Sequence, residues 1–555
     1  MDLANAPWKG IYPPGLTPDV KLDAYPVHDI VDLASEEWSD KTAFRFRGRT
    51  TSFVAFKELV GRCAQAFIAA GLSKGDRVAL FLPNTLYHPI AFFGAAKAGL
   101  VVVHLSPLDG DIVLKHKIAD SGARVLVTTN LEKMAERAGS LLADGLVETV
   151  IVGDDAALGA SDGTGPMPEG TGIVDFKAFL DQAGDAPFPT VTPDDLALLQ
   201  YTGGTTGLPK GAMLTHRNLS SSVSSYDLWS DAFDLMRPGE DRIVLFLPLF
   251  HIYSLSAVML RTVKNGIETI LHTRFDAETA LREIEAGATG FPGVPTMWIA
   301  MAAVPDFEKR NFSSLRYCAS GGAPLPVEVA RKIKAGTGHD LLGGWGMTET
   351  APAGTNIPAT RPDKVGTIGV PLPGIWLDIV ALDDPDRMLP PGETGELRIV
   401  GPNVAMGYYN RPEETAAAFT PNGFLTGDIG FMDDEGFFTI VDRKKDMILS
   451  GGFNIYPQLI EQAIYEHPDV EEALVIGVAD EYRGEAAKAF VKLRAGSEPL
   501  SLDALRAFLK GRLGPHELPA ALEIRDALPR TPVGKLSKLE LKQEEAKRRK
   551  TALAS

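Results

Sequence analysis

The sequence predicts an α/β protein: a large N-terminal domain of parallel α/β layers that ends in a small β-rich unit, then a small α+β C-terminal domain. Three observations carry this reading. The chain has 555 residues, more than one hydrophobic core usually serves, so at least two domains are expected. Short apolar, β-branched runs alternate with helical patterns over most of the length, the rhythm of βαβ units. From about residue 370 the texture changes to glycine-punctuated strands, and after "VDRKKD" (441–446) to a compact α+β pattern. We place the domain boundary at Asp442, giving domains 1–442 and 443–555.

Taken in order, "DRVALFLPN" (76–84) reads as a buried strand and "YHPIAFFGAAKAG" (87–99) as a helix ended by Gly99. "LVVVHL" (100–105) and "ARVLVTT" (123–129) read as the next strands. Residues 153–172, rich in Gly, Asp, Ala and Pro, read as a surface excursion. "RIVLFLPLFH" (242–251) and "GATGFPGVPT" (287–296) continue the α/β rhythm. "GELRIVGP" (395–402) and "GFLTGDIGFMDDEGFFTIVDR" (423–443) supply the short strands of the β-rich unit. In the last domain "QLIEQAIYEHPDV" and "LDALRAFLKGRL" read as helices, and "EALVIGVAD" and "AAKAFVKL" as strands. The charged tail "KQEEAKRRKTALAS" is expected to fray.

Composition excludes several classes. Hydrophobic residues make up 45% and charged residues 23%, the profile of a soluble globular protein. The longest apolar stretch, from near Val78, is broken by Pro83, Asn84, His88 and Lys97, so it does not read as a membrane span. The N-terminus lacks the pattern of a signal peptide, which predicts a cytoplasmic location. A formal charge of −17 argues against general nucleic-acid binding, although a local field can still hold an anion. Cys63 and Cys318 are the two cysteines; they are expected to be reduced packing residues rather than a disulfide or a metal site.

"LQYTGGTTGLPKGAMLTHRN" (199–218) is the first stretch with chemistry in it. Glycine lets backbone N–H groups approach a ligand closely, threonine adds hydroxyl donors, and Lys210 adds a cation. The set suits phosphate. It is neither the G-x-x-x-x-G-K-[ST] loop nor a dinucleotide-binding G-x-G-x-x-G. Read alone, it could also be an ordinary turn.

The loop resembles the phosphate-binding signature of the adenylate-forming superfamily, which includes acyl-CoA synthetases, aryl-CoA ligases, luciferases and peptide-synthetase adenylation domains. The resemblance continues in order through "GGAPLP" (321–326), "GWGMTET" (344–350), "GFLTGDIG" (423–430), "VDRKKDMILSGGFNIYP" (441–457) and "PRTPVGKLSK" (529–538). It spans about Thr42 to Lys538 and looks most like bacterial medium- and long-chain fatty-acid CoA ligases.

The resemblance implies an acid–thiol ligase. A carboxylate attacks the α-phosphate of ATP, pyrophosphate leaves, and a thiol, that of CoA, then displaces AMP from the acyl-adenylate. It implies that Thr202, Gly203, Gly204, Thr205, Thr206, Gly207 and Lys210 wrap the β- and γ-phosphates. Thr348 meets the α-phosphate. Glu349, with Thr206, holds Mg²⁺, a hard cation suited to oxygen ligands. Trp345, where many relatives carry tyrosine, stacks on adenine, with Gly346 and Met347 beside it. Gly321, Gly322 and Ala323 are small enough for nucleotide and acyl group to lie along the backbone. Asp428 takes the ribose hydroxyls, with Ile440 and Arg443 nearby. Judged without the family, Glu349, Asp428 and Lys535 each read as solvated or turn residues.

The same resemblance makes Lys535 the adenylating lysine and Lys445 the hinge of a mobile C-terminal domain. After adenylation that domain would rotate, Lys535 would leave, and Gly451, Gly452 and Phe453 would line a pantetheine tunnel. His251 stands at the mouth of an acyl tunnel built from 248–255, 291–298 and 318–325, or else is a hydrogen-bonded core histidine. These stretches are apolar and aromatic, so an alkyl chain fits them better than an amino acid. His104 and Asp109 stand where the related text reads "NPLYTPREL". A dicarboxylic or aryl acid, such as a cinnamate, therefore stays open beside the medium- to long-chain acid. Transfer to a carrier protein instead of free CoA, nucleotide binding without catalysis, and a luciferase-like monooxygenase are the competing readings. Peripheral contact with the inner face of the membrane and a homodimer are left open.

Overall fold

The computed structural model describes residues 2–554 other than Ala160, Asp162, 203–207, Pro324, 451–452, 481–482 and 531–535. The chain divides into two compact units: Met1–Leu377 with Ile399–Phe424, and Asp378–Arg398 with Leu425–Ser555.

In the first unit, β1 (Thr42–Phe46) and β2 (Arg49–Ser52) precede β3 (Arg77–Phe81), β4 (Val101–Leu105), β5 (Val125–Thr129), β6 (Thr149–Gly153) and β7 (Ile173–Asp175). β8 (Leu196–Thr202), β9 (Lys210–Thr215), β10 (Arg242–Leu245), β11 (Glu268–Leu271) and β12 (Gly290–Gly293) follow. β13 (Tyr317–Ser320), β14 (Leu342–Trp345), β15 (Thr355–Asn356) and β16 (Val370–Pro371) complete the set. They form a seven-stranded sheet, β7-β6-β5-β3-β4-β8-β9, and a nine-stranded sheet, β16-β15-β14-β13-β12-β10-β11-β1-β2. Both are parallel through their centres; the first turns antiparallel only at its β9 edge and the second at both edges.

The expected elements are present. The helix after β3 spans Tyr87–Lys97, and Gly99 takes φ +72° after it, a backbone state glycine adopts without steric cost. This helix is apolar on all sides because it is covered all round: residues 87–96 are all buried. Facing it, the helix Phe53–Ala69 begins on Ser52, whose hydroxyl accepts from the Ala55 N–H at 3.3 Å. The two pack so closely that a Cβ on Gly94 would lie 2.7 Å from the Cβ of Cys63. Cys63 and Cys318 are both buried thiols, and burial pushes both well up from the ordinary thiol range.

Two expectations need correcting. The excursion 153–172 is anchored: Asp155 is buried, pairs with Arg47 at 2.9 Å and accepts from the Thr164 hydroxyl at 2.6 Å. The charged tail, from Lys542 on, continues a helix that starts before it, Lys538–Ala554. Leu541 on it is buried with Leu474, Ile476, Phe490 and Leu528, and several of its charges form ion pairs. Lys538 meets Glu461 at 2.9 Å and Lys542 meets Asp446 at 2.6 Å. One apolar anchor and several ion pairs outweigh the repulsion that a charged run suggests in isolation.

The second unit holds the sheet built from Ile448–Ser450, Phe453–Ile455, Val470–Asp480, Gly484–Leu493 and Ala521–Ile524. The helices Pro457–Tyr465 and Leu502–Leu509 close one of its cores. No helix among the described residues is long and apolar enough to cross a membrane.

Candidate active site

In open parallel sheets, ligands lie where strands end at their carboxyl termini. In the first unit β8, β10, β12, β13 and β14 deliver the expected residues at those ends.

β8 and β9 are antiparallel, and Thr202 lies opposite Lys210 in their register. The glycine-threonine stretch is therefore the connection of a hairpin whose two posts are a hydroxyl and a cation. Gly203, Gly204, Thr205, Thr206 and Gly207 lie outside the described residues. Lys210 Nζ sits 4.9 Å from the centroid of the Tyr408 ring, within cation–π range. The Tyr408 hydroxyl donates to Glu349 Oε1 at 2.8 Å. Lys210, Tyr408 and Glu349 thus form one chain of contacts.

Glu349 is 5% exposed and is the middle residue of a short turn, Thr348–Thr350, just beyond β14. That turn is held from several sides. The Met347 N–H donates to the Thr350 hydroxyl at 3.1 Å, and the Ala405 N–H donates to the Glu349 carbonyl at 2.8 Å. The buried Asn403 amide donates to Thr350 O and Ala353 O at 2.8 and 2.7 Å. A Cβ on Gly346 would fall 1.4 Å from the Pro352 carbonyl oxygen, so only glycine fits there. Trp345, half-buried, packs over Gly354, where a Cβ would lie 2.6 Å from its ring.

The segment 403–410, "NVAMGYYN", carries no reading from the sequence and proves central. Its backbone pairs with β9: Met213 N–H to Gly407 O at 2.9 Å, Met406 N–H to Met213 O at 3.0 Å, and Tyr409 N–H to Gly211 O at 2.8 Å. Asn218, on the helix after β9, donates to Pro402 O and Val404 O, both at 2.8 Å. The signal was there: asparagine and tyrosine in glycine-punctuated text signify turns with side-chain work to do.

Beyond β13, Gly321 donates to Gly293 O at 3.1 Å. Gly322 has φ +76°, and Ala323 is half-buried. A Cβ on Gly321 would meet the Tyr253 ring at 3.0 Å, so this loop lies flat against an aromatic wall. His251 is half-buried. Its Nδ1 accepts from the Tyr253 N–H at 3.3 Å, which leaves Nε2 to carry the proton of the neutral ring. Gln200, two residues before the loop, is fixed between His104 Nδ1 at 2.9 Å and Phe250 O at 2.9 Å. The strand that carries the loop and the segment that carries His251 are thereby tied together.

The second unit carries the remaining residues. Asp428 is 1% exposed, lies opposite Arg443 in the strand register, and meets Arg443 Nε at 2.5 Å. Ile440, half-buried, stands across from Gly430. Lys445 is exposed between two fixed points. Asp442 on one side accepts the N–H groups of Arg443 and Gln458 at 2.7 and 2.8 Å. Asp446 on the other is held by Lys542 at 2.6 Å. Gly451, Gly452 and Lys535 lie outside the described residues, as does the Phe453 side chain. Among the described residues no cluster of three or more His, Cys, Asp and Glu could hold a metal ion.

Comparison with known proteins gives the family. Residues 31–409 match the family described as AMP-binding enzyme, and residues 459–535 its C-terminal domain. A long-chain-fatty-acid–CoA ligase of Bacillus subtilis (strain 168) is 35% identical, with 98% of each chain covered. A feruloyl-CoA synthase of Amycolatopsis sp is 38% identical over 90% of this chain and 95% of its own. Among solved structures, ATP-bound MatB from Rhodopseudomonas palustris superposes with a TM-score of 0.81 at 29% identity, covering 93% of this chain and 98% of that one. The Bacillus subtilis o-succinylbenzoate CoA synthetase in complex with its acyl-adenylate gives 0.78 at 28%, covering 94% and 99%. The chain belongs to the AMP-binding enzyme family.

Proposed function

We propose that this protein is an AMP-forming acid–thiol ligase that activates a carboxylic acid with ATP and passes the acyl group to CoA. The observation that carries the reading is the Lys210–Tyr408–Glu349 chain beside the hairpin opened by Thr202. It sets a cation, a phenol and a buried carboxylate at the carboxyl end of the central strands.

The chemistry asks for positioning and charge neutralisation. Thr202 and Lys210 are the posts of a loop suited to the β- and γ-phosphates, and Lys210 offsets the charge of departing pyrophosphate. Thr348 is offered to the α-phosphate. Glu349 fits Mg²⁺ as a buried carboxylate with one oxygen oriented by Tyr408, and Thr206 would be its hydroxyl partner. Mg²⁺ would supply neutralisation of the triphosphate. Trp345, with Gly346 and Met347, supports adenine; Gly321, Gly322 and Ala323 leave backbone room for the adenylate; His251 stands at the acyl entrance. By resemblance Asp428 takes the ribose hydroxyls with Ile440 and Arg443 beside it, and Lys535 bridges carboxylate and α-phosphate. Lys445 is the hinge of a domain 443–555 that moves against 1–442. Gly451, Gly452 and Phe453 receive the pantetheine arm.

The substrate is a small-molecule carboxylic acid, alkyl or aryl. An acid panel assayed for pyrophosphate release without CoA, then AMP and acyl-CoA release on adding CoA, tests the function. Acid-dependent release in both steps is expected; no ATP consumption with any acid contradicts it.

A further inference from the structure

The segment that carries His251 leaves its sheet early. β10 ends at Leu245, and Pro248, which has no N–H, breaks the run before His251. Leu247, Leu249 and Phe250 are nonetheless buried, so their backbone groups need partners beyond the strand ladder. Two buried side-chain amides supply them. Asn84 pairs as a strand would: its Nδ2 donates to Leu247 O at 3.0 Å and its Oδ1 accepts from the Leu249 N–H at 2.8 Å. Gln200 Nε2 donates to Phe250 O at 2.9 Å.

Gln200 differs from Asn84 in what stands behind it. The Phe250 carbonyl can only accept, so the amide turns its nitrogen there and its Oε1 to His104 Nδ1, at 2.9 Å. His104 therefore carries a proton on Nδ1. Burial depresses this histidine to about 4 and keeps the ring neutral, so a single tautomer fixes a single amide orientation. The ring is itself held, with its centroid 5.0 Å from that of His88 and 6.0 Å from that of Phe92, both on the buried helix Tyr87–Lys97. His104 lies on β4 and Gln200 on the adjoining β8, two residues before Thr202. The Phe250 carbonyl belongs to the peptide unit whose N–H is that of His251, and this N–H donates to Pro248 O at 2.9 Å. Both ends of the peptide that bears His251 are thus fixed, one of them to the strand that opens the phosphate loop.

We propose that Gln200, oriented by His104, is a positioning residue for adenylation: it sets His251 and the acyl entrance against the phosphate loop, so that the carboxylate meets the α-phosphate in line. The proposal rests on the acid–thiol ligase reading and on His251 standing at the acyl entrance. Bringing two reactants together is sensitive to distance, and a misplacement of about 1 Å can cost about a hundredfold in rate. An apolar side chain at 200 would keep the core filled yet leave the buried Phe250 carbonyl unpaired and the His251 peptide unfastened at one end.

The test is a double-substitution cycle. Acid-dependent pyrophosphate release is measured with dodecanoate, or with 4-hydroxycinnamate if the wild type prefers it, in wild type, Gln200→Met, His104→Phe, His251→Ala and the two combinations with His251→Ala. Gln200→Met and His104→Phe are each expected to lower kcat/KM for the acid about tenfold, but by less than about twofold once His251 is alanine, because groups that act through one another are not additive. His104→Gln, which can still donate to Gln200, is expected to recover most of the loss, and this comparison with His104→Phe decides where His251→Ala is too slow to measure. Thermal melting identifies the variants that fold, and the two substitutions enter the chain independently. Equal losses with and without His251, no recovery in His104→Gln, or wild-type kinetics in both single variants overturn the proposal and leave the ligase reading standing. A wild type that releases no pyrophosphate with any acid overturns the ligase reading itself.

Discussion

Tyr408 is the residue that turns two separate motifs into one site. It touches the lysine of one and the carboxylate of the other. A hydrogen bond to a charged group is worth about 1.5–3 kcal/mol. If Glu349 holds Mg²⁺ as proposed, Tyr408→Phe is expected to raise the Mg²⁺ concentration for half-maximal activity by about tenfold, read by titrating Mg²⁺ at fixed ATP; an unchanged midpoint would separate Tyr408 from the proposed metal carboxylate. Gly346 makes a steric prediction. An alanine Cβ would overlap the Pro352 carbonyl, and overpacking of this kind costs about 1–3 kcal/mol. Gly346→Ala should lower the melting temperature by several degrees and activity with it, whereas Gly338→Ala, open to space though at φ +78°, should cost only backbone strain. At this scale the sequence was legible where glycine, threonine and lysine fell in a known order. It was silent on Tyr408, Asn403 and Gln200, whose partners lie tens or hundreds of residues away.

Among the elements, the C-terminal helix carries the clearest lesson. Its sequence reads as a charged tail, because local repulsion is visible in the text and distant partners are not. Leu541 and the Lys538–Glu461 pair convert it into a packed helix. Removing one member of a largely buried pair leaves the other charge unpaired, at a cost of about 3 kcal/mol. Lys538→Met should therefore lower the urea midpoint of the second unit clearly, while Lys510→Met, at an exposed position, should not. Melting behaviour that fails to distinguish them would mean that the helix is held by Leu541 alone. The βαβ strands around 76–129 were read nearly to the residue, since apolar runs and Gly99 mark their limits. The antiparallel pairing of β8 with β9 was not, because it is a choice that their own residues do not announce.

For the whole molecule, buried histidines predict how stability responds to acid. Burial depresses His88, His104 to about 4, His216 to about 3, and His28 to about 4. An unfolded chain takes up protons near the ordinary histidine value of about 6.5, before the native state does. Stability is then full above about pH 6.5 and falls as pH drops toward 4, each group contributing ~1.4 kcal/mol per pH unit where only the unfolded form is protonated. Equilibrium unfolding followed between pH 7.5 and 4.5 should show this decline, and His104→Asn should flatten it. A stability that rises on acidification over that range would contradict the burial of these rings. The proposed role of Lys535 makes a kinetic prediction: Lys535→Ala should nearly abolish adenylation but spare thioester formation from supplied acyl-adenylate, which separate half-reaction assays would resolve.

The most direct test of the central claim is to mix the protein with ATP, Mg²⁺ and the acid panel, and to measure pyrophosphate and AMP before and after adding CoA. The account predicts acid-dependent pyrophosphate without CoA, then AMP and acyl-CoA in equal amounts once CoA is present. Phosphate and ADP as products, or ATP turnover indifferent to every acid, would contradict it.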